Sequence, residues 1–285
     1  MNAEDSNSGL LTFGGHLEIL RKILFRILCV VILLACVIFC FKEETFQILL
    51  APRHYDFCTF RYIESLMQQL GWDFHFEEYH IPLISTELSA QFMTHVTMSC
   101  VLAFLLASPY ILFELFRFVS PALYKREKRY SYLVAAIVYF LFIIGLLMSY
   151  FILFPISFQF LATYQVNEEI ASTITLDSYI STFCTLTFMM GIVFQLPVFT
   201  FVLGKIGVIT ADILKKYRSY ALIIILIISA IITPPDIFTL ILVAIPIYGL
   251  YELSILVLKR FQKRNLKDED IDNYQAITPD EEEIS

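Results

Sequence analysis

Charge is what this chain has least of. Asp, Glu, Lys and Arg make up 16% of its 285 residues, against 58% hydrophobic residues. Soluble domains run at about 45–50% apolar, so a soluble globular fold is excluded. Between Tyr132 and Tyr164 there is no charged residue at all. Cysteine is missing where it would do chemistry. Of Cys29, Cys36, Cys40, Cys58, Cys100 and Cys184, only Cys58 lies outside an apolar run, and no C-x-x-C occurs. That pattern suggests neither a disulfide in the loops nor a redox or zinc motif. No glycine-rich phosphate loop is present, which argues against nucleotide as the energy source. H-E-x-x-H and a pair of in-span aspartates are also lacking, so an intramembrane protease is excluded. His75 and His80 flank Glu77 and Glu78 without a Cys partner, and no metal is expected there. The chain reads as a non-enzyme with no cofactor and no nucleic-acid partner.

What is present is a series of long apolar runs, hence an all-α integral membrane protein. Residues 1–14 are polar and are expected to form a flexible tail. From His16 the sequence Leu17, Leu20, Leu24 has helical spacing and leads into a first span near 23–41. This run is read as retained, because no small-residue cleavage site follows it. Arg26 lies one turn inside and is expected to snorkel to the headgroups. Residues 42–88 form the longest loop, acidic, with a short helix at 61–70. A second span, near 88–118, contains Pro109, expected to kink it because proline has no amide to give residue 105. The charge-free run of 33 residues would be about 50 Å of helix, too long for a core of about 30 Å. Pro155 is expected to divide it, leaving a third span at 132–154. The fourth span is placed at 178–203. The fifth, 219–232, is only 14 residues, or about 21 Å, short enough to thin the bilayer locally. The sixth, 237–258, returns after a Pro-Pro-Asp turn too tight to separate the two. Residues 261–285 form a charged tail.

Lys and Arg set the orientation. Of the 20, only Lys42, Arg53 and Arg61 fall on the proposed outer side. The remainder lie at the other face, which the positive-inside rule makes cytoplasmic. An even number of spans, six, with both termini inside fits that bias. The net charge of −7 misleads, since much of it sits in the carboxy-terminal tail and the long outer loop. Residues 118–130 are expected to be a cytoplasmic loop. Its one acid, Glu127, sits among four cations. Such an acid either pairs with Lys125 or Lys128 or receives a cation from outside.

Four stretches carry a family resemblance. They are Phe118-Val119-Ser120-Pro121-Ala122-Leu123-Tyr124 with Glu127, Thr233-Pro234-Pro235-Asp236-Ile237-Phe238, Ala244-Ile245-Pro246-Ile247-Tyr248, and His16-Leu17-Glu18-Ile19-Leu20-Arg21-Lys22. Together, over a stretch of the chain from about His16 to Phe261, they resemble the TatC family, the multi-spanning receptor subunits of the twin-arginine protein translocase. The resemblance implies a concave, glove-like bundle of six spans with short fifth and sixth helices, in a bacterial inner membrane. It implies a receptor that binds Arg-Arg signal peptides of folded cargo, for export driven by the proton gradient. Partners implied are those signals, single-span TatA-like and TatB-like proteins, lipid, and further copies of the chain.

The same resemblance assigns residues. Glu127 would take the signal arginines, a planar guanidinium being matched by a carboxylate that accepts two parallel bonds. Phe118, Tyr124 and Arg21 would line that site. The family's amino-terminal acid falls at Ile19, so Glu18 is its displaced counterpart; it would either touch the signal or pair with Lys22 one turn on. Gln195 replaces a common Glu in the fourth span. It is either a polar spot on a partner-binding face or a helix–helix hydrogen bond. Asp236 would cap the last helix and serve transport. Pro52 would shape the outer cap, and Pro121 belongs to the cytoplasmic motif. Glu114 and Glu252, near cytoplasmic span ends, read as solvated or paired. With Gln195 they would form the polar path of the competing reading, a proton- or solute-coupled permease.

Overall fold

The computed structural model describes residues 13–72, 82–123, 128–164, 167 and 173–277, with side chains over 18–72, 82–114, 134–164, 167 and 173–264. Eleven helices appear among the described residues: α1 (Phe13–Cys40), α2 (Lys42–Leu50), α3 (Cys58–Gln69), α4 (Ala90–Leu123), α5 (Lys128–Met148), α6 (Phe154–Thr163), α7 (Leu176–Val193), α8 (Leu196–Lys205), α9 (Ala211–Lys216), α10 (Arg218–Ile232) and α11 (Ile237–Ile277). Among the described residues, five stretches are long and apolar enough to cross a membrane: Glu18–Cys40, Ala90–Glu114, Val134–Thr163, Leu176–Lys205 and Ile237–Arg264. Arg218–Ile232 is a sixth, shorter apolar helix.

Two of the five crossings are built from joined helices. A single π turn, Ser149–Leu153, connects α5 to α6, so the break falls just before Pro155 rather than at it. Pro155 has no amide for the Phe151 carbonyl four residues back, and Thr59 Oγ1 of α3 donates to that carbonyl instead. Between α7 and α8 the chain turns at Phe194 and Gln195, with Pro197 in the first turn of α8, a position where a missing amide costs nothing. By contrast α4 runs unbroken through Pro109. The carbonyl that proline cannot serve, Leu105 O, accepts from Ser108 Oγ at 2.6 Å. In hydrocarbon such a carbonyl needs a partner inside the protein.

Three expected boundaries move. Of the loop expected at 118–130, residues 118–123 belong to α4 and 128–130 to α5, while residues 124–127 lie outside the described residues. Residues 42–88 are not one loop with a single helix. Lys42–Leu50 forms α2, with Glu43 and Glu44 in its first turn, where the helix dipole favours acids. The sixth helix is not short: α11 has 41 residues and carries on through the basic segment that was read as the start of a tail.

α1 packs along α4, α4 and α5 pack on α7, and α11 packs on α8 and α10. One buried cluster, with Met98, Leu153, Phe154, Ile180, Leu186, Met190 and Ile247 among its members, joins α4, α6, α7, α10 and α11 and has no member on α1. Phe154 anchors it through edge-on rings of Tyr179 and Phe183, each 5.0 Å away. Near the end where α2 begins, β1 (Leu83–Ile84) pairs in parallel with β2 (Ile174–Thr175), Leu83 opposite Ile174. The last turn of α2 and the turn after it close over this end. Tyr150 and Tyr179 donate to the carbonyls of Ile48 and Leu49 at 2.7 and 2.9 Å, and buried Pro52 sits in a 3-10 turn, Ala51–Arg53. At the other end α9 is tied down by Tyr251, whose hydroxyl donates to Leu214 O at 2.7 Å.

Candidate functional site

The amino-terminal motif lies on the first turns of α1. Glu18 forms an ion pair with Lys22 at 2.8 Å, both side chains more than half exposed. The intrahelical alternative is therefore the arrangement seen, and an exposed pair of this kind holds its carboxylate only loosely. Arg21 is exposed beside it. The motif that begins at Phe118 continues α4: Phe118 and Pro121 occupy its last two turns. Tyr124 and Glu127 lie outside the described residues.

Between these two motifs lies a contact that the sequence does not announce. Arg26 Nη1 on α1 donates to Glu114 Oε1 on α4 at 3.2 Å, and the Glu114 side chain is only 6% exposed. Tyr110, one turn earlier on α4, donates its hydroxyl to the same oxygen at 3.2 Å. Arg26 was expected to snorkel alone and Glu114 to be solvated or paired; the two are partners. A signal for it exists in hindsight. A Tyr and a Glu spaced i, i+4 meet on one helix face, and the pattern Tyr110/Glu114 recurs as Tyr248/Glu252. There, Arg218 of α10 meets Glu252 of α11 at 2.6 Å, and Tyr248 donates to it at 3.2 Å.

Gln195 donates from Nε2 to the Val138 carbonyl on α5 at 3.1 Å, which is the helix–helix bond weighed above. Its Oε1 is buried and takes no hydrogen bond. Asp236 caps α11, as its position after the two prolines suggests: Oδ1 accepts from Thr239 N at 2.6 Å. The three polar groups of a permease path are not assembled into one. Glu114, Gln195 and Glu252 bind Arg26, Val138 and Arg218 respectively, and among the described residues no hydrogen bond joins them to one another. No cluster of His, Cys, Asp or Glu suited to a metal occurs among the described residues.

These features define a multi-span α-helical membrane protein whose polar groups are spent on joining helices and shaping its two ends. Comparison with known proteins narrows the class. The family model of the Sec-independent protein translocase protein (TatC) matches residues 15–246. A TatC from Blattabacterium sp. subsp. Periplaneta americana is 35% identical over 251 residues, 87% of this chain and 94% of that protein. One from Desulforapulum autotrophicum is 33% identical, covering 95% and 91%. A crystal structure described as the twin-arginine translocase receptor TatC superposes with a TM-score of 0.68 at 32% identity, covering 86% of this chain and 98% of that one. The chain belongs to the TatC family, a family of protein translocases and not a class of enzymes.

Proposed function

We propose that the chain is the receptor and core subunit of a twin-arginine translocase. It would bind Arg-Arg signals of folded proteins at its cytoplasmic face and act without catalytic chemistry. In this reading both termini face the cytoplasm of a bacterial inner membrane, and the proton gradient drives transport. Glu127 takes the arginine pair, with Phe118, Tyr124 and Arg21 around it and Glu18 as an auxiliary carboxylate. TatA-like and TatB-like single-span partners, and further copies of the chain, pack on the concave face near Gln195 and around the α10–α11 hairpin. Asp236, Pro52 and Pro121 hold the two ends in shape for transport.

The observation that carries this reading is the packing of α1 along α4. The helix bearing Glu18 and Arg21 lies beside the helix whose last turns carry Phe118 and Pro121, which supports a site shared by the two motifs. Glu18 is tied only by an exposed pair, which a guanidinium can displace, since it presents a bidentate fork where lysine presents a point charge. The test is crosslinking from a photoreactive group beside the signal's arginine pair, in membranes. Wild type, Glu127→Ala and Glu18→Ala would be compared, and a Lys-Lys signal run on wild type. Crosslinking is expected to vanish with Glu127→Ala, to fall strongly with Lys-Lys and to weaken with Glu18→Ala. Equal crosslinking in all of them would end the receptor reading.

A further inference from the structure

We propose that Arg26, Glu114 and Tyr110 form a clamp that fixes the spacing between the two arms of the signal-binding surface, making Arg26 and Glu114 positioning residues of the receptor. This rests on the receptor reading above and assigns it residues that the resemblance does not.

Three observations lead there. The first is where the clamp sits. Arg26 lies eight residues beyond Glu18 on α1, and Glu114 lies four residues before Phe118 on α4. It therefore joins the two helices just inside the ends that carry the motifs. The second is that α1 packs chiefly against one neighbour, α4, and leaves the rest of its surface uncovered. Only 6% of its apolar window is buried, against 33% for each of the other four crossings. Between helices in lipid there is no hydrophobic drive to associate, and polar bonds and close packing do that work. Toward the other end of α1, Phe39 stacks on His95 at 4.1 Å and meets Phe92 edge-on at 6.4 Å; at the end that carries the motifs, the hydrogen bond from an α1 side chain to α4 is the one from Arg26. The third is the asymmetry of the pair. Glu114 is nearly enclosed and Arg26 is half exposed, 6% against 53%. A carboxylate in that position needs its cation, whereas Arg26 on its own can reach the headgroups. The partner that the clamp cannot do without is thus Arg26.

Arm spacing matters because bidentate recognition is a matter of geometry. Each guanidinium gives two parallel bonds to one carboxylate, so both arginines of a pair are matched at once only when the two carboxylates stand at the right separation, whereas a lysine ammonium tolerates misplacement. Loosening the clamp is therefore expected to lower the preference for Arg-Arg over Lys-Lys, and not only the binding itself.

The experiment measures the equilibrium affinity of the full-length protein, in lipid nanodiscs, for fluorescent Arg-Arg and Lys-Lys signal peptides. The variants are Arg26→Gln, Glu114→Gln, the double variant Arg26→Gln/Glu114→Gln, and the exchange Arg26→Glu/Glu114→Arg, with Glu127→Ala as the reference. Arg26→Gln is expected to weaken Arg-Arg binding about tenfold, the equivalent of one charge-assisted hydrogen bond, and to compress the Arg-Arg to Lys-Lys ratio. Glu114→Gln is expected to do less. The double variant should recover most of the loss, because no charge is stranded. A preparation that is partly unfolded has fewer sites but the same affinity ratio, so the ratio separates positioning from misfolding. If Arg26→Gln leaves affinity and ratio unchanged while Glu127→Ala abolishes binding, the clamp is refuted and the receptor reading stands. If the double variant binds no better than Arg26→Gln, the two residues are not coupled and the clamp is again refuted. If Glu127→Ala binds like wild type, it is the receptor reading that fails.

Discussion

Two ion pairs on this molecule share a plan. On the first, Arg26 of α1 meets Glu114 of α4, with Tyr110 one turn before the acid. On the second, Arg218 of α10 meets Glu252 of α11, with Tyr248 one turn before. They differ in depth. The Glu114 side chain is 6% exposed and the Glu252 side chain 31%, although the second pair is the shorter, 2.6 Å against 3.2 Å. Distance alone would rank Arg218–Glu252 first. Burial reverses the order, because the cost of breaking a pair is the cost of leaving its charge behind without water. A half-exposed acid recovers its hydration when its arginine is gone.

The largest effect should follow from Arg26→Gln, which strands Glu114. A loss of about 3–5 kcal/mol is expected, measured by reversible unfolding in mixed micelles. A loss no greater than that of Arg218→Gln would show that burial is not what separates the two pairs. The seam between α5 and α7 offers a contrast held by close approach rather than charge. A Cβ on Gly145 would come within 2.7 Å of the Met190 carbonyl oxygen, a backbone atom that cannot swing aside. Gly145→Ala is expected to cost about 1–3 kcal/mol in the same assay; a neutral result would mean that the seam has slack. Arg218→Gln should cost at most about 1 kcal/mol, and salt should reduce that difference. Smallest is Gln195→Leu. It removes one bond to Val138, worth about 0.6 kcal/mol in membranes, together with a buried oxygen that takes no hydrogen bond. An export defect far larger than its stability change would place Gln195 on a working surface.

Composition and run length made the fold readable, because lipid forces long uncharged helices and proline punctuates them. The breaks were less readable than the spans. Pro109, Pro155 and Pro197 look alike in sequence, yet one lies within an unbroken helix, one follows a π turn and one opens a new helix. What distinguishes them includes the hydroxyl that reaches the abandoned carbonyl: Ser108 from the adjacent position, Thr59 from a helix 92 residues away. Local sequence contains the first and not the second. Helix α2 was missed for a related reason. The carbonyls of Ile48 and Leu49 in it are bound by Tyr150 and Tyr179, which lie 100 residues or more along the chain. At the candidate site, the cap at Asp236 was legible because its partner is three residues away. The Arg26–Glu114 bond spans 88 residues, and nothing in either neighbourhood names the other.

The length of α11 has a mechanical side. Its 41 residues make a rod of about 60 Å, roughly twice the thickness of a bilayer core. Pro246 sits ten residues from its start and leaves the Leu242 carbonyl without its usual amide, which makes that turn the compliant point. From there to Ile277 is about 46 Å of helix, so each degree of flexing at Pro246 sweeps the far end through about 0.8 Å. A change of a few degrees within the membrane thus becomes a displacement of several ångströms outside it: α11 is a lever whose short arm lies among the helices and whose long arm reaches past the lipid.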